Sequence, residues 1–329
     1  GGKLPEPRIT KEFDAADISD KPFGWNLPNW LLRREMVAHL TDLHRVEFRA
    51  GVGVASLLTR ETHALVRLGD GSKIRCRLVI AADGRNSPVR EASGVAVKTT
   101  RYGQKALAFA VTHPIPHENV STEIHRSGGP FTLVPLPDHE GRPSSAIVWM
   151  EDGPEVRRLA DLPVPEFEAA MNERSCQFFG PLTLVSRRTV WPIISQLAER
   201  MSAERVALVA EAAHVVPPIG AQGLNMSLGD MRVLLELAEA APDRLGDAAM
   251  LETYHRRRHL DVTARVKGID LLNRASMMHA QPLRDARVVV ESDPENPGYY
   301  SARFYLRPHF QLEGLTASLR MVSRIERQA

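Results

Sequence analysis

VALVAEAAHVVPPIGAQGLNMSLGDMRVLLELAE, Val206 to Glu239, reads as strand, loop and helix. Val206 to Val209 is a short apolar run of the kind a buried strand uses. Leu224, Leu228, Met231, Leu235 and Ala238 recur at helical spacing, which predicts a helix with that face buried. In the loop, Pro217 and Pro218 stiffen the approach, while Gly220 and Gly223 permit backbone angles closed to other residues and leave the main chain bare to a ligand. A helix opening at about Gly223 turns the unpaired N–H groups of its first turn, Leu224 and Asn225 included, and the positive end of its dipole toward whatever lies above. That is a seat for a flat, electron-rich or anionic group. On spacing alone, an ordinary strand-to-helix connection is an equally good reading.

A second stretch, LVIAADGRNSPVRE at Leu78 to Glu91, places Asp83-Gly84 at the end of a buried strand. Ser87-Pro88 then supplies an N-cap and a proline at the first helical position. Ligands bind beyond the ends of strands in such sheets. Asp83 either meets a ligand there or only orders its own loop through backbone hydrogen bonds.

Taken together, the two stretches resemble the second and third flavin-binding motifs of class A flavin-dependent aromatic hydroxylases. They are most similar to the ubiquinone-biosynthesis hydroxylases of the 2-octaprenyl-6-methoxyphenol type, whose pattern is a GDAAH box, then PP, then GQGLN. The likeness runs from about Phe23 to Tyr254. It implies an α/β fold: a doubly wound FAD-binding lobe, interrupted by a mixed β-sheet substrate lobe and followed by C-terminal helices. By resemblance, Asp83 and Gly84 lie near the FAD pyrophosphate and ribose with Arg90 as a neighbour, and Gly220, Gly223, Leu224 and Asn225 border the ring, with Pro217 and Pro218 beside it. Asn29 stands where related hydroxylases often carry an arginine that touches the cofactor. Ala210 and Glu211 occupy the places of Gly and Asp in the GDAAH box. Glutamate keeps the acceptor chemistry one methylene further out, so Glu211 either binds ribityl hydroxyls or pairs with an arginine.

With 329 residues the chain can bury a core large enough for two closely packed lobes. Net charge is +2 and the arginines are scattered, which argues against a nucleic-acid binder. Cys76 and Cys176 lack C-x-x-C spacing, so neither a disulfide framework nor a zinc site is expected, and a reducing, cytoplasmic setting is. His113, His117 and His125 lack a compact ligand spacing and are expected to be solvent-exposed, with no metal. No apolar run of about 18 residues occurs, so the chain is expected to be soluble or peripheral to a membrane.

Along the chain the expected organisation begins with a strand segment of the substrate lobe (1–22, with a strand at Arg8 to Asp14). A first stretch of the cofactor lobe (23–98), the substrate lobe (99–192), a second stretch of the cofactor lobe (193–262) and a C-terminal helical region (263–329) follow. Asn29 is expected to cap a helix buried along Leu32, Met36 and Leu40. Glu47 to Leu57, His63 to Leu68 and Lys73 to Ile80 read as strands with a hairpin at Gly69 to Gly71. Gly51 to Gly53 forms a G-x-G outside that hairpin turn, and we reject it as a dinucleotide turn, because Ser56 fills the third glycine position and no amphipathic helix follows. No other opening G-x-G-x-x-G is found, and the expectation is therefore that the chain holds FAD poorly or not at all, with a cofactor lobe that is open, rearranged or completed by another chain. Ala106 to Val111, Phe131 to Leu136 and Ser145 to Met150 suit an antiparallel sheet, with Phe131, Leu133, Pro135 and Trp149 as candidate pocket residues, although on composition each is more often simple core. Leu312 to Ile325 is expected to be a helix docked on the protein itself, on a partner subunit or on a membrane surface.

The resemblance implies hydroxylation of an aromatic ring, with a prenylated phenol as substrate, FAD as cofactor, NAD(P)H as reductant and a flavin C4a-hydroperoxide delivering oxygen. The alternatives are another oxidoreductase on the same scaffold, or a flavin-free fragment or scaffold protein of a biosynthetic complex. A homo-oligomer fits either.

Overall fold

The computed structural model describes residues 20, 24–125 and 128–277. Helix α1 (Asn29–Thr41) comes first among the described residues and buries none of its own. Its N-cap is Pro28 rather than Asn29, and the expected stripe fails because Met36 is exposed. A meander follows: β1 (Val54–Arg60), β2 (His63–Leu68) and β3 (Lys73–Cys76), all antiparallel. Its turn is the expected one at Gly69 to Gly71, where Gly71 takes φ +87° and Asp70 accepts from Ser72 N at 2.9 Å. Gly53 belongs to this hairpin, its carbonyl accepting from Gly69 N at 2.8 Å, so the G-x-G has a local structural use.

β4 (Val79–Ala81) then runs into α2 (Pro88–Ala92), which Ser87 caps by accepting from Arg90 N at 2.9 Å. The large antiparallel sheet is built from β5 (Val97–Thr112), β6 (Thr122–His125), β7 (Pro130–His139), β8 (Arg142–Asp152) and, after α3 (Gly153–Asp161) and α4 (Val164–Arg174), β9 (Thr183–Leu184) and β10 (Thr189–Ala198). β11 (Ser202–Ala203), β12 (Val206–Leu208), β13 (His214–Val215), α5 (Gln222–Ala240) and α6 (Ala248–Ser276) complete the described chain. The seven-stranded sheet runs β13-β10-β5-β8-β7-β6, with β9 paired beside β5. Residues 98 and 99, and 192 and 193, lie inside β5 and β10, so both crossings between the expected lobes are continuous strands. α6 likewise passes unbroken through residues 262 and 263. The expected strand at Arg8 to Asp14 and helix at Leu312 to Ile325 lie outside the described residues.

Side chains alternate across a strand, so the large sheet has two different faces. One face sets Leu107, Phe109, Val111, Phe131, Leu133, Ile147 and Trp149 against Val156, Leu159, Phe167 and Met171 of α3 and α4. The other brings Ala106, Met150 and Ile193 to Ile219, with Tyr102, Val148 and Leu272 around them. Phe131, Leu133 and Trp149 therefore pack into the helix-backed core, and Pro135 is buried on the same strand parity. Of the two readings open for them, pocket wall or simple core, this packing matches the core, and strand parity gives the opposite face to their neighbours. His113 corrects the exposed-histidine expectation, being fully buried with Nδ1 2.8 Å from Ile115 O and Nε2 2.9 Å from Ser145 Oγ. Burial lowers its pKa.

A smaller sheet runs β11-β12-β4, with β12 and β4 parallel and β4 at the edge of the described strands. Here α5 departs from expectation. Its interior face is Met226, Asp230, Val233 and Leu234, whereas Leu224 and Leu228 stand 59% and 58% exposed and Met231 and Leu235 are exposed beside them. The helix is apolar on two sides, and periodicity alone cannot say which side the described core covers.

Candidate functional site

Parallel pairing of β12 with β4 delivers the two sequence motifs to one place. Leu208 is opposite Ala81, and Val209 N donates to Ala81 O at 3.0 Å, so the loops leaving both strands start side by side. In the first loop, Asp83 accepts from Ser87 Oγ at 2.5 Å and from Val89 N at 3.1 Å. Both carboxylate oxygens thus order the turn at the start of α2, while Gly84 beside it takes φ +85°. Arg90 is buried and donates to Ala212 O at 2.9 Å and Arg85 O at 3.1 Å, tying the two loops together.

In the second loop, Ala210 adopts φ +53° and Glu211 meets Arg85 at 3.3 Å with half its side chain exposed. The arginine pairing open in the sequence reading is thus present, and it leaves Glu211 on the rim of a cavity. Pro217 is buried and Pro218 exposed ahead of a tight turn in which Ile219 N donates to Pro217 O at 2.8 Å. Gly220 (φ +67°) and Ala221 (φ +51°) lead into α5, which starts at Gln222, one residue before the expected Gly223. No side chain caps this helix, so its first-turn N–H groups and dipole are directed outward. A half-open cavity of about 250 Å³ lies there, lined by Glu211, His214, Val215, Val216, Gly223, Leu224 and Ser227. Asn29 and Asn225 are not among its lining residues.

Sequence reasoning missed the support beneath this cavity. Asp230, wholly buried, accepts from His214 Nε2 at 2.7 Å, Ala210 N at 3.0 Å and Arg258 Nε at 2.8 Å. Burial opposes the Arg258 charge, yet the hydrogen bonds and charges of Asp230 and Asp261 hold its pKa above the ordinary value. Burial likewise raises the Tyr254 phenol, which donates to Leu208 O at 2.8 Å. The available signal was a carboxylate beside Gly229 amid apolar residues of a predicted helix, where an unpaired charge is untenable.

The residues fit the ring and ribityl half of a flavin. A Cβ added at Gly223 would meet nothing within 4 Å, so the protein leaves that position bare to the cavity. Uncapped amides suit the electron-rich edge of the ring, and Glu211 offers acceptors for hydroxyl groups.

Fold and site suit a class, the FAD-binding proteins, with a parallel strand pair and its loops beside a large antiparallel sheet. Within it the chain belongs to the FAD binding domain family, whose profile matches residues 11–268. A second profile, described as EvpB/VC_A0108, tail sheath gpW/gp25-like domain, matches residues 268–325, nearly all outside the described residues. Ubiquinone hydroxylase UbiL of Rhodospirillum rubrum is 35% identical over 225 residues, covering 68% of this chain and 51% of the relative. The 3-demethoxyubiquinol 3-hydroxylase of Escherichia coli is 25% identical over 278 residues, covering 84% and 70%. The chain thus spans about half the length of the first of these relatives. Among solved structures, PqsL of Pseudomonas aeruginosa in complex with 2-aminobenzoylacetate superposes with a TM-score of 0.66 at 23% identity, over 77% of this chain and 71% of that one. It shares the fold.

Proposed function

We propose that the complete protein is an FAD-dependent monooxygenase that hydroxylates an aromatic ring, its substrate a prenylated phenol of ubiquinone biosynthesis and its reductant NAD(P)H. The observation that carries this reading is the cavity where Glu211 and Gly223 meet at the uncapped start of α5. When bound, FAD supplies the redox and oxygen-activating chemistry. The chain's own residues position and polarise. The first-turn amides of α5 favour negative charge on the ring. Glu211 accepts from ribityl hydroxyls while Arg85 balances its charge. Pro217 and Pro218 shape the space beside the ring, and Asp83 with Gly84 borders the pyrophosphate side. The apolar sheet face at Ala106, Val148 and Met150 keeps water from the reacting ring. A prenyl tail brings peripheral contact with a membrane surface into the reading; no helix among the described residues is long and apolar enough to cross one.

The test is a titration of the purified complete protein with FAD, followed by the visible absorption band and by phenol-dependent NAD(P)H oxidation. Saturable binding is expected, with Glu211→Ala weakening it by about threefold to tenfold, the size of one lost hydrogen-bonding group. No visible band at saturating FAD overturns the reading, and unchanged affinity in Glu211→Ala removes Glu211 from it.

A further inference from the structure

We infer that Asp230, with His214 and Arg258, forms a positioning clamp that holds Ala210 in left-handed backbone and so aims Glu211 at the cavity; the cofactor half of this inference rests on the flavin reading above. Ala210 has φ +53°, a region where an L side chain is strained and glycine is at ease. Something must hold it there. Its N–H donates to Asp230 Oδ2 at 3.0 Å, and the same oxygen accepts from His214 Nε2 at 2.7 Å. The other oxygen takes Arg258 Nε at 2.8 Å.

Three separate segments therefore converge on one buried carboxylate: the turn at 210–212, α5 through Asp230 itself, and α6 through Arg258. The guanidinium is used on every side, donating also to Met226 O at 3.1 Å and Asp261 Oδ2 at 2.6 Å. Room for it comes from Gly229, where an added Cβ would lie 3.1 Å from Arg258 Nη2. A pair that merely joined α5 to α6 would have no use for the Ala210 amide. This one commits half of an oxygen's capacity to the strained residue that precedes Glu211 in the chain, and His214 sits in the cavity wall. Without the carboxylate, residue 210 can relax toward the ordinary α or β region, which swings the Glu211 side chain with it.

The experiment has a flavin-free arm and a flavin arm. In the protein without cofactor, amide exchange is read at Ala210 and at its neighbour Val209, whose N–H is bonded to Ala81 O. Asp230→Asn is expected to speed exchange at Ala210 by about 100-fold and at Val209 by less than about tenfold. In the flavin arm, Asp230→Asn weakens FAD binding by about tenfold, and adding Ala210→Gly recovers it to within about threefold, because glycine reaches the same backbone unaided. If Asp230→Asn does not fold, Asp230→Glu keeps the charge for Arg258 while displacing the acceptor, and the same exchange change at Ala210 is expected. Unchanged exchange at Ala210 overturns the clamp, as does a loss of affinity that Ala210→Gly leaves unrelieved. Should the wild-type protein bind no FAD, the flavin reading falls, and the exchange arm still decides whether the clamp exists.

Discussion

Of the three sheets among the described residues, the seven-stranded one and the small parallel one close their cores to different extents. Around the seven-stranded sheet, Leu107, Val111 and Phe131 are fully covered by neighbouring strands and by α3 and α4. Beside the small parallel sheet, β12 is equally well covered, but the layer ends at α5, whose Leu224 and Leu228 face outward, and at β4, where Ile80 is 45% exposed. The cavity with Glu211 and Gly223 lies on this second, open side. The closed half makes stability, whereas the open half presents main-chain groups and apolar area to something else. Substitutions should therefore separate cleanly, those in the first half changing unfolding and those in the second changing binding.

The largest effect is expected in the closed half. Phe167 is fully buried, edge-on to Phe109 at 5.1 Å, with Arg188 stacked 4.7 Å above it. Phe167→Ala should cost about 3–5 kcal/mol in denaturant unfolding, since the cavity left behind cannot collapse against a sheet. On the open side, Gly223→Val should leave the melting temperature nearly unchanged, because a Cβ there meets no protein atom. FAD affinity should nevertheless fall by more than about tenfold, since the branched side chain occupies the ligand's space. If Gly223→Val unfolds the protein instead, or binds FAD normally, the division of labour between the halves is broken.

Those two residues also show what a sequence makes readable. The Gly220 to Gly223 loop and the Ser87-Pro88 helix start are legible because turn chemistry is local: φ, a cap and a missing N–H belong to one or two residues. The strands of the large sheet are legible because alternating runs have a period of two. Which face of a strand or helix meets which layer is not a local property. Bulk leaves Phe131 and Trp149 open to pocket or core, and parity sends them to α3 and α4. Periodicity assigns Leu224 and Leu228 to the core, although it is Met226 and Val233 that meet it. Asp230 escapes notice for the same reason, since its partners Ala210, His214 and Arg258 are scattered along the chain and meet only in the fold.

A smaller effect should sharpen the view of the closed half. Glu151 at the end of β8 has its carboxyl pKa raised by burial, with nearby Arg174 pulling the other way. A raised folded-state value means that the protonated form is the favoured one inside. The contribution to stability is thus full below the unfolded value and is lost as pH rises through the folded one. Glu151→Gln removes the charge and keeps an acceptor for Asp152 N. It should stabilise the protein at pH 7 and give no gain at about pH 4, near the unperturbed carboxylate value. Equal gains at both pH values would show that charge burial is not the cause.

The smallest expected effect carries the most direct test of the contrast. Leu228 lies on the exposed stripe of α5, 58% accessible, one turn after Leu224. Replacing it with serine removes apolar area that folding did not bury, so almost no transfer free energy is at stake. What remains is helix propensity, in which serine is a few tenths of a kcal/mol poorer than leucine. Leu228→Ser should therefore change unfolding free energy by no more than about 0.5 kcal/mol, against several for Phe167→Ala. The comparison is made by denaturant titration of both variants at one protein concentration. A loss of about 2 kcal/mol or more in Leu228→Ser would mean that this face is covered in solution, since leucine truncations reach that cost only at buried positions. A concentration dependence of that loss would then identify the cover as a second molecule, because association contributes to apparent stability by mass action.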